Sequence, residues 1–257
     1  MATRELAEAL EDRWVRVGDW DVHLLASSGG DRKPIDVLLL IGFVVGGHSA
    51  VPITVELARD YNVYTPDLPG YAKSTKPPST LTLPEQAEAT ARLLDALGLR
   101  KVALIGNSFS AQIAAEFSMR HPERVDRLVL IGPGVDPRAR TPFHQLWRFA
   151  RNSMHENAVL PGMVGDYVDL GLRRIIATAR YALRDRIEEK LPRIPMPALV
   201  VRGGEDAIVP QRWAEEAARL LPNGRLVVIP GYAHGVERVG APTLAQVLRP
   251  FLDESLA

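Results

Sequence analysis

Three residues that together can carry out nucleophilic acyl transfer stand far apart in this chain: Ser108, Asp206 and His234. A serine hydroxyl is a weak nucleophile and needs a base beside it to take its proton. An imidazole is such a base, and a carboxylate can hold the imidazole in place and stabilise its cation. Ser108 lies in Gly106-Asn107-Ser108-Phe109-Ser110, between an apolar run and a helical pattern. Gly106 leaves room for a sharp turn, and small residues two positions either side of the serine let strand and helix approach. A hydroxyl there stands at a helix N-terminus, where the Phe109 N–H can face an oxyanion. Each residue also has an ordinary reading. Ser108 is a helix N-cap, Asp206 a turn carboxylate and His234 a loop histidine in solvent. The chemical reading draws on all three falling at the ends of predicted strands, in the order serine, aspartate, histidine.

Those strands are read from apolar runs: Val37–Ile41, Val63–Thr65, Val102–Ile105, Leu128–Ile131, Leu199–Val201 and Leu226–Ile229. They are too continuous for half-exposed strands and suit parallel strands covered on both faces. Trp14–Val17 and Asp21–Leu25 flank Gly18-Asp19 and predict a hairpin. The charged segment before it reads as helical. Leu83–Leu97 is the clearest helix, with Thr82 and Glu85 as a capping box and Gly98 as its stop. Strands alternating with helices predict an α/β sheet with right-handed crossovers, which places functional groups at the carboxyl ends of strands. Ile41-Gly42-Phe43 sits at one such end, and the Phe43 N–H is a candidate second oxyanion donor. The stretch from Ile131 to Leu199 is far longer than a crossover of about 12 residues. Residues 137–195 therefore read as an inserted helical lobe.

Composition limits the partners. The 257 residues carry 31 basic and 31 acidic side chains, so net charge points to neither nucleic acid nor an anionic membrane. There is no cysteine, which excludes disulfides and a thiolate nucleophile. No signal-like or membrane-spanning apolar stretch is seen. The expectation is a cytoplasmic protein, monomer or homodimer, acting on a small molecule without metal or cofactor.

The chain resembles the α/β-hydrolase superfamily from Trp14 to Leu252. The likeness includes the nucleophile elbow Gly106–Ser110 and the segment Asp67-Leu68-Pro69-Gly70-Tyr71-Ala72-Lys73-Ser74, which looks like the family's Asp-x-x-Gly-x-Gly-x-Ser loop. It also includes the acid loop Asp206–Pro210 and the terminal Gly231-x-x-His234. The resemblance implies a mostly parallel sheet flanked by helices, a core of residues 1–136 and 196–257, and a helical cap at 137–195. It implies Ser108, Asp206 and His234 as catalytic residues, with backbone N–H groups of Phe43 and Phe109 as the oxyanion hole.

The chain departs from the family pattern in three places. Ile41 stands where a histidine usually precedes the oxyanion glycine, Ala72 replaces a glycine, and Ser110 replaces the last glycine of the elbow at a modest packing cost. Ile41 and Gly42, with Phe143 and Trp147 of the cap, are the candidate substrate contacts. The spacing of Phe143, Leu146, Trp147 and Ala150 equally predicts a helix face packed on the body. The cap arginines read as balanced by acids and solvated. The implied activity is hydrolysis of a small or medium apolar ester, lactone or thioester. Asn107 before the serine is similar to hydrolases that cleave carbon–carbon bonds of ring-fission products, although Gly235, not tryptophan, follows His234. A lyase, cyclase or acyltransferase, or a ligand-binding receptor, on the same scaffold stays open.

Overall fold

The structure is a computed structural model that describes residues 10–27, 32–43, 46–154 and 161–254. The described residues form eight strands, β1 (Leu10–Val17), β2 (Trp20–Ser27), β3 (Asp36–Leu40), β4 (Asn62–Pro66), β5 (Val102–Asn107), β6 (Val125–Ile131), β7 (Ala198–Gly203) and β8 (Gly224–Ile229). They form one sheet in the order β1-β2-β4-β3-β5-β6-β7-β8. The hairpin β1–β2 and the β2–β4 pair are antiparallel, and every other pair is parallel. All six apolar runs are strands. The helical reading ahead of the hairpin fails where it can be seen, because Leu10–Trp14 pairs with His23–Ser27. Cross-strand pairing there overrides the local charge pattern. Residues 1–9 lie outside the described residues.

The helices are α1 (Val51–Ala58), α2 (Leu83–Ala96), α3 (Ser110–Arg120), α4 (Pro142–Asn152), α5 (Pro161–Leu170), α6 (Leu172–Arg184), α7 (Ile187–Lys190), α8 (Gln211–Leu220), α9 (Val236–Val239) and α10 (Ala241–Asp253). Helix α2 starts as predicted. The Thr82 hydroxyl accepts from Glu85 N at 3.4 Å, and Thr82 N donates to the Glu85 carboxylate at 2.7 Å. Strand side chains alternate between two buried faces. Val37, Leu39, Ala103, Ile105, Val129 and Ile131 pack with Ile53 and Leu57 of α1 and Leu244 and Leu248 of α10. Leu38, Leu40, Leu104, Leu128 and Leu130 pack with α2, α3 and α8. Burial on both faces explains why these strands read as unbroken apolar runs.

Helices α4 to α7 all fall between β6 and β7. Leu170, Ala182 and Ile187 join the core beside α3. Among the described residues, no helix is long and apolar enough to cross a membrane.

Helix α4 corrects a prediction. Phe143, Leu146 and Trp147 are 75%, 69% and 54% exposed, so this stripe neither packs on the body nor enters an enclosed pocket. The side turned to the body is polar. Gln145 donates to Ala139 O at 2.6 Å, Arg148 donates to Ile208 O at 3.1 Å and to Asp136 at 2.6 Å, and Asn152 is buried. Positions 145, 148 and 152 share one helical face, and the buried ligands available to it are carbonyls, N–H groups and a carboxylate. Polar pairing, not apolar burial, sets the orientation of α4.

Asp136 is the anchor. Its side chain is fully buried, and Arg148 of α4 and Arg212 of α8 both donate to it. Burial raises the carboxyl pKa, but hydrogen bonds from Arg212 and Arg148 outweigh it and hold it below the ordinary carboxylate value. A carboxyl depressed in this way adds stability above its unfolded pKa of about 3.9, and that stability is lost as pH falls through the folded value. Asp136→Asn should cost roughly 3 kcal/mol at neutral pH, because two guanidinium groups lose their counter-charge. Urea denaturation across a pH series should show wild type and variant converging as the solution becomes more acid than an ordinary carboxylate pKa.

Candidate active site

Ser108 stands between β5 and α3 with φ at 55°, in the left-handed region. That conformation costs a residue with a Cβ about 1–2 kcal/mol. It is held from several sides. Ser108 N donates to Ile131 O of the neighbouring strand at 2.8 Å, and Ser108 O accepts from Ala111 N at 3.1 Å and Gly134 N at 3.3 Å. A Cβ on Gly106 would come within 2.7 Å of Ala114 Cβ and 2.8 Å of Ala111 Cα, so only glycine lets α3 lie this close to β5. The result is a serine hydroxyl lifted off the sheet edge at the start of a helix.

His234 follows β8, and its Nε2 is 2.8 Å from Ser108 Oγ. Its Nδ1 is 2.8 Å from Asp206 Oδ2. The other Asp206 oxygen accepts from Ile208 N and Val209 N, each at 2.8 Å. An ionised carboxylate only accepts, so the imidazole proton belongs on Nδ1 and the Nε2 lone pair faces the serine hydroxyl. The Asp206 side chain is 1% exposed and the imidazole 13%. Such a chain can pass the serine proton to the imidazole while a buried charge stabilises the cation that forms.

Three residues outside the sequence reading hold this line together. Arg202, buried near the end of β7, donates to Val209 O, Gly204 O and Asp206 O at 2.7, 3.0 and 2.9 Å. It fixes the acid loop by its backbone. Burial lowers the Arg202 pKa, with Asp206 and Glu215 opposing. Gly132, at φ 51°, lies under the imidazole, where a Cβ would sit 2.9 Å from His234 Cε1. Asn152 Oδ1 accepts from Ala207 N at 3.4 Å and His234 N at 3.3 Å, so one α4 side chain bridges the loops that carry Asp206 and His234. Arg202 left a trace in the sequence, since a charge in a strand buried on both faces requires partners. Asn152 left none.

The remaining predicted site residues divide. Gly42 abuts the serine, where a Cβ would be 3.4 Å from Ser108 Cβ. Phe43 and Phe109 meet edge to face at 5.7 Å between ring centres, which links the two segments carrying the candidate oxyanion donors. Ile41 packs its side chain into the core with Ile53 and Ile105, and its carbonyl meets the elbow. The Ser110 hydroxyl donates to that carbonyl, so this residue adds a bond where a packing cost was expected. Ala72 adopts φ 40°, the conformation for which the family pattern uses glycine. Phe143 and Trp147 are largely exposed to solvent.

The family model for the alpha/beta hydrolase fold matches residues 37–158, and that for TAP-like proteins matches residues 178–255. The chain belongs to the α/β-hydrolase superfamily. It is 26% identical over 217 residues to a 2-hydroxymuconate semialdehyde hydrolase of Pseudomonas putida, spanning 75% of this chain and 77% of that one. A membrane phospholipase A described as a bacterial virulence factor superposes with a TM-score of 0.78 at 27% identity, covering 98% of this chain and 89% of the other. A thermophilic esterase from Thermogutta terrifontis shares the fold, with a TM-score of 0.75 at 23% identity and coverage of 94% and 98%. The fold of this α/β hydrolase is thus shared with proteins named a phospholipase A and an esterase.

The Asn152 bridge yields a direct expectation. Asn152→Leu should fold but hydrolyse a chromogenic ester about 10- to 100-fold more slowly in kcat, with KM little changed, because the two loops lose their shared acceptor. Asn152→Asp keeps the acceptor and should recover most of the rate. Steady-state kinetics of both variants, with melting temperatures, check this.

Proposed function

We propose that this α/β hydrolase is a cofactor-free serine hydrolase cleaving a carboxylic ester, lactone or thioester through an acyl-enzyme. One observation carries the reading: the unbroken line from Ser108 Oγ through His234 to Asp206, with 2.8 Å at each step. In this reading His234 Nε2 takes the hydroxyl proton as Ser108 Oγ attacks the acyl carbon. The carbonyl oxygen becomes an oxyanion and meets the N–H groups of Phe109 and Phe43. The tetrahedral adduct collapses, and His234 returns the proton to the departing alcohol or thiol. Water, deprotonated by His234, then attacks the acyl carbon; the bond to Ser108 Oγ breaks, His234 returns the proton to that oxygen, and the acid is released.

Likeness to the Pseudomonas putida hydrolase favours a second reading, cleavage of a carbon–carbon bond in a ring-fission dienone by the same three residues. Gly235 after His234 sets the chain apart from the tryptophan usual in such enzymes and keeps the ester reading first.

Wild-type protein should be labelled by a fluorophosphonate and should hydrolyse short p-nitrophenyl esters. Ser108→Ala should lose labelling, and Ser108→Ala and His234→Ala should each lower kcat on the order of a million-fold while still melting cooperatively. A general base works only when neutral. Activity should therefore fall as pH drops through the range where imidazole protonates, about 6.5 in model compounds. Near-wild-type turnover in pure Ser108→Ala would sink the reading, and a faster reaction with a ring-fission dienone than with any ester would promote the second.

A further inference from the structure

The outward faces of α4 and α6 are unlike the rest of the surface. Helix α4 reads PFHQLWRFARN and α6 reads LRRIIATARYALR, and neither contains an acidic residue. On α4, Phe143, Leu146 and Trp147, with Met154 just beyond, form one exposed stripe, and the Arg151 guanidinium lies 5.5 Å over the Trp147 ring. On α6, Leu172 and Ile176 are 71% and 47% exposed. Beside them Arg173, Arg180 and Arg184 line a shallow groove of about 500 Å³. Among the described residues, no carboxylate pairs with these three arginines, whereas Arg140, Arg148 and Arg186 of the same lobe each have one. The zero net charge of the chain conceals a local excess of positive charge next to exposed apolar side chains.

From this pairing we propose that the outer faces of α4 and α6 dock on an anionic lipid surface, apolar side chains entering the headgroup boundary and arginines meeting phosphates. A helix with exposed Trp, Phe and Leu bordered by basic residues is built for such an interface. The charge pattern speaks against the other occupants. A second copy packed on this face would enclose two arginine clusters in one interface to which neither helix brings an acidic partner. A nucleic acid would leave the apolar stripe exposed to water. The inward side of α4 is already taken by its bonds to Asp136 and Ile208, so the outward side is the one available for docking. The proposal does not depend on the hydrolytic reading.

The test is cosedimentation of the full chain with vesicles. Wild type should partition onto phosphatidylcholine vesicles that contain phosphatidylglycerol, much less onto pure phosphatidylcholine, and less as salt rises. Two double variants probe the two helices separately, Leu146→Glu with Met154→Glu and Arg180→Glu with Arg184→Glu. Each should lower partitioning at least about tenfold. Arg180→Lys with Arg184→Lys, which keeps the charge, should bind as wild type, and melting temperatures show that the variants are folded. No binding to the anionic vesicles, equal binding to both vesicle types, or wild-type binding by either glutamate variant overturns the proposal. So does a dimer in analytical ultracentrifugation that the Leu146→Glu, Met154→Glu variant dissolves, which would assign the face to a second copy.

Discussion

A left-handed serine at the end of a buried parallel strand is the constraint around which the site is arranged. Ser108 keeps φ at 55° because Ile131 O, Ala111 N and Gly134 N fix its peptide groups and because Gly106 lets α3 come down onto β5. The strain is small beside the packing that imposes it, since β5 is buried along its whole length and pairs with β3 and β6. A turn of this kind lifts one side chain off the sheet and points the first N–H groups of a helix toward it. The strand ends beside it then decide what can meet the hydroxyl. β7 ends in the loop of Asp206 and β8 in the loop of His234, and both run parallel to β5 in the same sheet.

Two of the departures from the family pattern are physically one feature. Ile41 turns its side chain into the core, and its carbonyl accepts from the Ser110 hydroxyl. A bond thus ties the start of α3 to the segment holding Gly42 and Phe43. The edge-to-face contact of Phe43 with Phe109 reinforces the same connection. A histidine before the glycine would present its ring to a core of isoleucines, alanines and valines, where an unpaired imidazole is costly to bury. The substitution therefore fits the packing on the α1 and α10 side of the sheet and leaves the serine side untouched.

The lobe between β6 and β7 is held by charge more than by apolar burial along α4. At its base the buried Asp136 pairs with Arg148 and with the partly exposed Arg212, and Asn152 at the far end of the helix reaches the loops of Asp206 and His234. Because the inward face is polar, the apolar residues of α4 are left outside. The helix therefore connects the loops of Asp206 and His234 on one side to an exposed apolar surface on the other.

The sequence by itself determined the strands of the sheet, the order of Ser108, Asp206 and His234 along them, and the elbow. These depend on short-range patterns: unbroken apolar runs for strands buried on both faces, a capping box for α2, and small residues on either side of Ser108. Only the tertiary structure decided which side of α4 faces the body, what Asn152 touches and which arginines pair with an acid. Periodicity states that a helix has an apolar stripe, but the neighbouring side chains choose the face that packs. Ala207 and His234 lie 55 and 82 residues from Asn152 along the chain, and no local pattern encodes a bond between them. Counts of acids and bases add to zero over the whole chain, while the field at a surface depends on which charges lie within about 10 Å of one another, and folding alone sets those distances.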